Sequence, residues 1–160
     1  MISVAVLTVS DRCAAGSATD TAGPAVVNLL RETWPKAQIL NALLPDEEEL
    51  IADQLMQWCR NAVALVLTVG GTGLGPRDVT PEATRRVITR PAPGLAEAIR
   101  FIGAERNPYA WLSRGIAGLC GSTLIVNLPG SRRGAMESVA AILPILSHGL
   151  NVAAGGHSHP

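Results

Sequence analysis

Aromatic residues are scarce: one Phe, one Tyr and three Trp make up 3% of 160 residues. A core built with so few has to be filled by Val, Leu, Ile and Ala. The three cysteines, Cys13, Cys59 and Cys120, are far apart and show no CxxC or CxxH spacing, which argues against a disulfide framework or a structural zinc site. Net charge is missing as well. Thirteen basic and 13 acidic residues cancel, so no general field draws the chain to nucleic acid or to an anionic membrane. Twelve of the 13 cations are Arg, and Lys36 is the one Lys; no function attaches to that bias. No apolar run approaches the roughly 20 residues that span a bilayer. Residues 2–7 are strand-like from the outset, with no basic leader region and no small-residue cleavage site, and the location expected for such a chain is the cytoplasm.

What is present is a globular composition, 48% hydrophobic and 16% charged, which excludes a disordered chain. The length is about one domain's worth. A β-branched run over 2–9 stops at Ser10-Asp11. Asp20, Thr21, Gly23 and Pro24 then read as a helix start, which Pro35 closes. A second strand over 37–44 runs into Pro45-Asp46, and a helix from Glu47 carries Leu50, Ile51, Leu55 and Trp58 at helical spacing. A third strand over 62–69 is apolar almost throughout, as a strand covered on both faces should be. Further helices are expected from Thr80 to Ile88 and over 94–102, with a break at Pro91 and Pro93 between them, while 107–113 is ambiguous. Residues 119–122 read as a turn into a strand over 123–127, and a last helix, kinked by Pro144, runs from Arg132 to about Gly149. This alternation predicts one α/β domain over 1–150, a three-layer α/β/α sandwich around a mostly parallel sheet. Residues 151–160, ending in Gly-Gly-His157-Ser-His159-Pro, read as a frayed tail.

In an open α/β sheet, ligands bind beyond the carboxyl ends of the strands. Four strands here end in something other than a plain connector: Ser10-Asp11, Pro45-Asp46, the glycine run from Gly70, and Leu128-Pro129-Gly130-Ser131. If those strands are parallel, the four ends share one edge. The run 70–78 is not a Walker A loop, because Pro76 stands where Lys is required, and Gly71 and Gly73 lack the third glycine of a dinucleotide fingerprint. Glycines that let a ligand approach the backbone, beside a helix start, suit phosphate groups; the plainer reading is a flexible turn. Asp46 occupies a helix N-cap position, and capping is the reading its place favours. Asp78 has no such explanation, since Thr80 already supplies a cap. A carboxylate beside a phosphate loop calls for a divalent cation between them, and Mg²⁺ takes one or two carboxylates together with substrate phosphates. The cysteines read as small core or surface residues, His148 as a helix C-terminal residue favoured by the dipole, and Trp34, Trp58 and Trp111 as helical packing.

Taken together, these stretches resemble the MogA/MoaB family of molybdenum-cofactor biosynthesis proteins, to which the plant Cnx and animal gephyrin G domains belong. The matching pieces are Leu7-Thr8-Val9-Ser10-Asp11 with Asp20, Thr21 and Gly23, then Leu44-Pro45-Asp46-Glu47, then Thr68-Val69-Gly70-Gly71-Thr72-Gly73 with Pro76-Arg77-Asp78 and Thr80-Pro81-Glu82. Leu112-Ser113-Arg114-Gly115 and Asn127-Leu128-Pro129-Gly130-Ser131 complete the set, in family order. The resemblance implies a molybdopterin-binding fold, a homotrimer, and Mg²⁺-dependent transfer of an adenylyl group from ATP to molybdopterin with release of pyrophosphate. It implies that Asp46 and Asp78 are catalytic and position Mg²⁺ through substrate phosphates. Ser10, Asp11, Asp20, Gly70, Gly71, Thr72, Gly73, Ser113, Arg114, Gly115 and residues 127–131 would line the molybdopterin and ATP pocket. The product would pass to a molybdenum-insertase protein, with no nucleic acid or membrane involved. A non-catalytic molybdopterin carrier of the same fold is the alternative. The chain departs from the family pattern at Arg132, where many relatives have Pro, and at Cys120, where a basic residue is frequent.

Overall fold

In the first strand Val4, Ala5, Val6 and Leu7 are each at most 1% exposed, so consecutive side chains pointing to opposite faces are all covered. That requires layers on both sides of the sheet. The computed structural model describes residues 1–156 and supplies them; His157 and His159 lie outside the described residues. The strands are β1 (Ser3–Val9), β2 (Gln38–Leu44), β3 (Leu65–Val69), β4 (Arg90–Pro91), β5 (Ala117–Cys120) and β6 (Thr123–Leu128), in the order β2-β1-β3-β6-β5-β4. β1 runs parallel to β2 and β3, with Val4 opposite Ile39 and Leu65, and β3 runs parallel to β6, with Leu65 opposite Leu124. β5 is antiparallel to both its neighbours.

The helices are α1 (Asp11–Ala14), α2 (Ala22–Thr33), α3 (Glu48–Arg60), α4 (Thr80–Val87), α5 (Pro93–Arg106) and α6 (Arg132–Ala153). Val4, Val6, Leu65, Leu67, Leu124 and Val126 pack on one face under α2, α5 and α6. Ala5, Leu7, Val66 and Ile125 pack on the other under α3 and α4. The three-layer expectation therefore holds. β1 is followed by β2 on one side, and the next strand, β3, returns to its other side. The connecting helices α2 and α3 lie on opposite faces and diverge there, which opens a crevice beyond the carboxyl ends of β1 and β3.

The structure departs from the sequence reading in places. Asp11–Ala14 is one helical turn inside a stretch expected to be loop, capped by Ser10 Oγ, which accepts from the Cys13 amide at 3.3 Å. The proline break holds the short strand β4, and the ambiguous segment is a 3-10 helix over Pro108–Leu112, started by Asn107 Oδ1 accepting from the Tyr109 amide. Trp111 does not pack inside: it is 56% exposed and sits edge-on to Phe101. α6 continues past Gly149 to Ala153 with Pro144 inside it. At 22 residues and a mean hydropathy of 1.2 over its most apolar window, α6 has the length and apolarity of a membrane span, a property that short-run inspection does not reveal. Its Ala135, Val139, Ile142, Leu146 and Leu150 face the core beside α2.

Asn127, implicated in binding by the resemblance, is 2% exposed and ties three elements together. Its Nδ2 donates to Thr68 Oγ1 at 3.0 Å and Thr84 Oγ1 at 2.9 Å, and its Oδ1 accepts from the Ile116 amide at 3.1 Å. Asn127→Ala strips a partner from each of those groups in the interior. The expected cost is about 3 kcal/mol, read as a thermal midpoint lower by roughly 6–12 °C for a domain of this size.

Candidate active site

The ends of β1, β3 and β6 come together only because glycines stand there. Gly70 has φ +105°, and a Cβ on it would lie 2.3 Å from the Val9 carbonyl oxygen. Gly130, on the β6 side, packs against the Gly70 Cα, while the Gly70 amide donates to the Leu128 carbonyl at 3.1 Å. Gly71, at φ +67°, leaves room for Thr80 Oγ1, which a Cβ would approach to 2.2 Å. That hydroxyl donates to the Gly70 carbonyl at 2.9 Å, and the Thr80 amide donates to the Gly71 carbonyl at 3.1 Å. Thr80 is thus the first residue of α4 and a lock on the loop, whereas the N-cap is Val79, with no side-chain bond. The expectation that Thr80 caps α4 is corrected accordingly.

Two cavities flank this glycine ridge. The larger, about 600 Å³, lies at the end of β1 and is lined by Ser10, Asp11, Asp20, Asp46, Gly70 and Arg132 among others. The smaller, about 360 Å³, lies between the glycine loop, α5 and α6, with Thr72, Gly73, Ser113, Pro129, Tyr109 and Glu137 in its wall. Gly71, Asp78, Gly130 and Ser131 border both. Ser131 caps α6, its Oγ accepting from the Gly134 amide at 3.0 Å, so the positive end of a long helix meets both spaces.

The carboxylates are arranged around the larger cavity. Asp11 and Asp46 exchange hydrogen bonds across the β1 and β2 ends: the Asp11 amide donates to Asp46 Oδ2 at 2.9 Å, and the Asp46 amide donates to Asp11 Oδ1 at 3.0 Å. Asp46 does not cap α3, whose N-cap is Glu47 without a side-chain bond; the pull of Asp11, 35 residues away, wins over the local cap. Asp46 Oδ1 is buried and has no hydrogen-bond partner among the described residues. Burial pushes the Asp46 carboxyl above its ordinary range, and the charges of Asp11 and Asp78 add to that, against the Asp11 amide and Arg77. Arg77 grips Asp11 with Nε and Nη2, both at 3.0 Å, and holds its carboxyl below the usual range. Asp78 Oδ2 accepts from the Gly75 amide at 2.9 Å. Asp20 lines the cavity but is engaged with its own chain, accepting from Thr8 Oγ1 at 2.6 Å and from the Gly23 amide at 3.0 Å.

An unpartnered buried carboxylate oxygen near a second carboxylate fits a hard divalent cation. No group of three or more His, Cys, Asp or Glu that could hold a metal exists among the described residues. Asp46 and Asp78 could therefore hold Mg²⁺ only with oxygens brought by a phosphate ligand.

Arg114, Gly115, Asn127 and Leu128 line neither cavity. Arg114 is spent on the protein itself, bonding to the glycine loop and to Glu82, whose carboxyl it holds below the usual range. Sequence reasoning missed Tyr109 and Glu137 in the smaller cavity, and the role of Arg77 at the larger. Arg77 sits inside a quoted motif, but its partner is 66 residues away, and nothing local announces the pairing.

Residues 5–148 match the family described as probable molybdopterin binding domain. The chain belongs to that family. Among curated relatives of this molybdopterin-binding domain, molybdenum cofactor synthesis protein cinnamon of Drosophila melanogaster is 40% identical over 94% of the chain, which spans 25% of that protein. The same holds for other relatives: the chain covers 22% of gephyrin of Dictyostelium discoideum and 47% of a molybdenum cofactor biosynthesis bifunctional protein of Synechococcus elongatus. Molybdopterin adenylyltransferase of Helicobacter pylori strain J99 is similar in size, 35% identical with 98% of this chain and 90% of that protein covered. Among solved structures, the molybdopterin biosynthesis enzyme MoaB of Thermus thermophilus superposes with a TM-score of 0.88 at 46% identity, over 97% of this chain and 98% of the other.

Proposed function

We propose that this molybdopterin-binding domain acts in molybdenum cofactor biosynthesis by adenylylating molybdopterin. A terminal phosphate oxygen of molybdopterin forms a bond to the α-phosphorus of ATP, and the bond from that phosphorus to the β-phosphate bridge breaks, releasing pyrophosphate. One observation carries the reading. Two cavities meet at a glycine ridge bordered by Asp78, an arrangement that would give each of two substrates its own space with their phosphates at the junction. The relative named molybdopterin adenylyltransferase, matched over nearly its whole length, supports the same chemistry.

Such a transfer asks little covalent work of a protein; it needs alignment and neutralisation of charge. Asp46 and Asp78 would hold Mg²⁺, which when bound offsets the negative charge of the triphosphate and of the departing pyrophosphate. The glycine ridge lets phosphates come against the backbone, and the first turn of α6 with Arg132 supplies positive potential. Ser10 and Asp11 line the larger space and Ser113 the smaller. Asp11, fixed by Arg77, holds Asp46 in place through the exchanged backbone bonds.

The active form we propose is a homotrimer, and the exposed Phe101, Tyr109, Trp111 and Leu112 beside the smaller cavity offer apolar surface for it. The reaction belongs to the cytoplasm, where ATP is available, and its product passes to a molybdenum-insertase protein. The existence of longer bifunctional relatives supports that hand-over.

The test is pyrophosphate release from Mg-ATP and purified molybdopterin. Wild type is expected to release it, and Asp78→Asn to do so about 100-fold more slowly. A folded wild type that binds molybdopterin but releases no pyrophosphate would leave the carrier alternative. Equal rates in both proteins would remove Asp78 from the reaction.

A further inference from the structure

The glycine loop between β3 and α4 carries Asp78, whose Oδ2 accepts from the Gly75 amide at 2.9 Å, a bond made inside the loop itself. What ties the loop to the rest of the fold is Arg114. Arg114 Nε donates to the Gly73 carbonyl at 2.8 Å, and its Nη2 donates to the carbonyl of Asp78 itself at 2.6 Å. The same guanidinium pairs with Glu82 through Nη1 to Oε1 and Nη2 to Oε2. The Arg114 amide donates to the Thr72 carbonyl at 2.8 Å. One residue thus fastens the loop near both ends and ties it to the first turn of α4. Arg114 is in turn held from behind: Arg100 of α5 donates from Nη1 to the Gly115 carbonyl at 2.7 Å and the Ser113 carbonyl at 3.3 Å.

We infer that Arg114 is a positioning residue that sets the place of the Asp78 carboxylate, and that it does not bind substrate. The inference rests on the adenylyl-transfer reading for its kinetic consequence, though not for its structural one. The guanidinium fork suits the task because two carbonyls and a carboxylate lie around it in different directions. A Lys ammonium is a single point of charge and cannot span them. Glu82 adds direction: it pulls the guanidinium toward α4, whose own start is locked to the loop by Thr80. Since Gly71, Asp78 and Gly130 border both cavities, a loop that sags here would misplace a carboxylate at the junction of two substrates without changing either cavity's outer wall.

The experiment compares wild type with Arg114→Gln and Arg114→Lys in the full-length chain, by three readouts. Amide hydrogen exchange over residues 71–79 is expected to quicken roughly tenfold in Arg114→Gln, as losing bonds to a charged group should allow. Pyrophosphate release should fall about 100-fold in kcat, the size of effect that a displacement of about 1 Å produces, with a higher half-activating Mg²⁺ concentration. Molybdopterin affinity should stay within about threefold, because Arg114 lines neither cavity. Arg114→Lys should recover little of the lost rate. If Arg114→Gln does not fold, the pair Arg114→Gln with Glu82→Gln removes the orphaned charge and takes its place. Unchanged exchange over 71–79 in a folded variant overturns the inference, as does a loss of molybdopterin affinity as large as the loss of turnover. A wild type without turnover would sink adenylyl transfer, and the exchange comparison would still decide whether Arg114 holds the loop.

Discussion

Asp46→Asn is expected to slow pyrophosphate release about 1000-fold while raising the thermal midpoint of the ligand-free protein at pH 7. The two effects have one origin. Burial raises the folded-state pKa of Asp46 above its ordinary 3.8, with the Asp11 and Asp78 charges acting in the same direction. The folded protein therefore holds that proton more tightly than the unfolded chain does. Its contribution to stability is most favourable below the unfolded value and is lost as pH rises through the folded one. At pH 7 the ionised group is a burden, because Oδ1 has no partner. Asn carries no charge and keeps an oxygen for the Asp11 amide, so the burden goes, and with it the carboxylate proposed to hold Mg²⁺. Calorimetry across pH checks the sign: the stability gain of the variant should shrink as pH falls toward 3.8. A variant that is less stable at pH 7, or one with wild-type turnover, contradicts this account of Asp46.

The largest structural effect is expected at Gly70. An alanine there must adopt φ +105° and place its Cβ 2.3 Å from the Val9 carbonyl oxygen, a backbone atom of a central strand that cannot swing away. Left-handed strain costs about 1–2 kcal/mol and overpacking about 1–3 kcal/mol. Gly70→Ala should therefore lower the thermal midpoint by roughly 10 °C or more. Gly16 is the control. It also has a positive φ, +76°, but nothing lies within 4 Å of an added Cβ, so Gly16→Ala should cost about 1 kcal/mol. Equal shifts in thermal melts of the two variants would mean that the β1 and β3 ends move apart more easily than their shared hydrogen bonds imply.

Much of this was legible in the residues because the signals are local. An apolar β1, an apolar β3, proline-led helix starts and a glycine run between strand and helix each announce themselves over a short stretch of chain. The convergence of four strand ends followed from alternation alone, and the parallel pairing of β2, β1, β3 and β6 bears it out. Other features depend on partners distant in sequence. Asp46 looks like a cap until Asp11 stands beside it, and nothing near Asn127 in sequence announces its bonds to Thr68 and Thr84. Arg114 belongs to the pocket lining that the resemblance implies, and its bonds run to carbonyls 36 and 41 residues upstream. The two residues of β4 are too few to show a strand period at all.

The sheet's two margins are unlike each other. β4 is two residues long and one of them, Pro91, has no N–H, so that border gives an incoming chain almost nothing to pair with. β2 is seven residues long and, among the described residues, pairs with β1 alone, which leaves its outer row of amides and carbonyls as the border where strand addition has a template. A segment annealing there would lie alongside the strand that leads into Pro45 and Asp46. Growth of this sheet therefore has a single direction, and it runs past the carboxylate whose Oδ1 has no hydrogen-bond partner among the described residues.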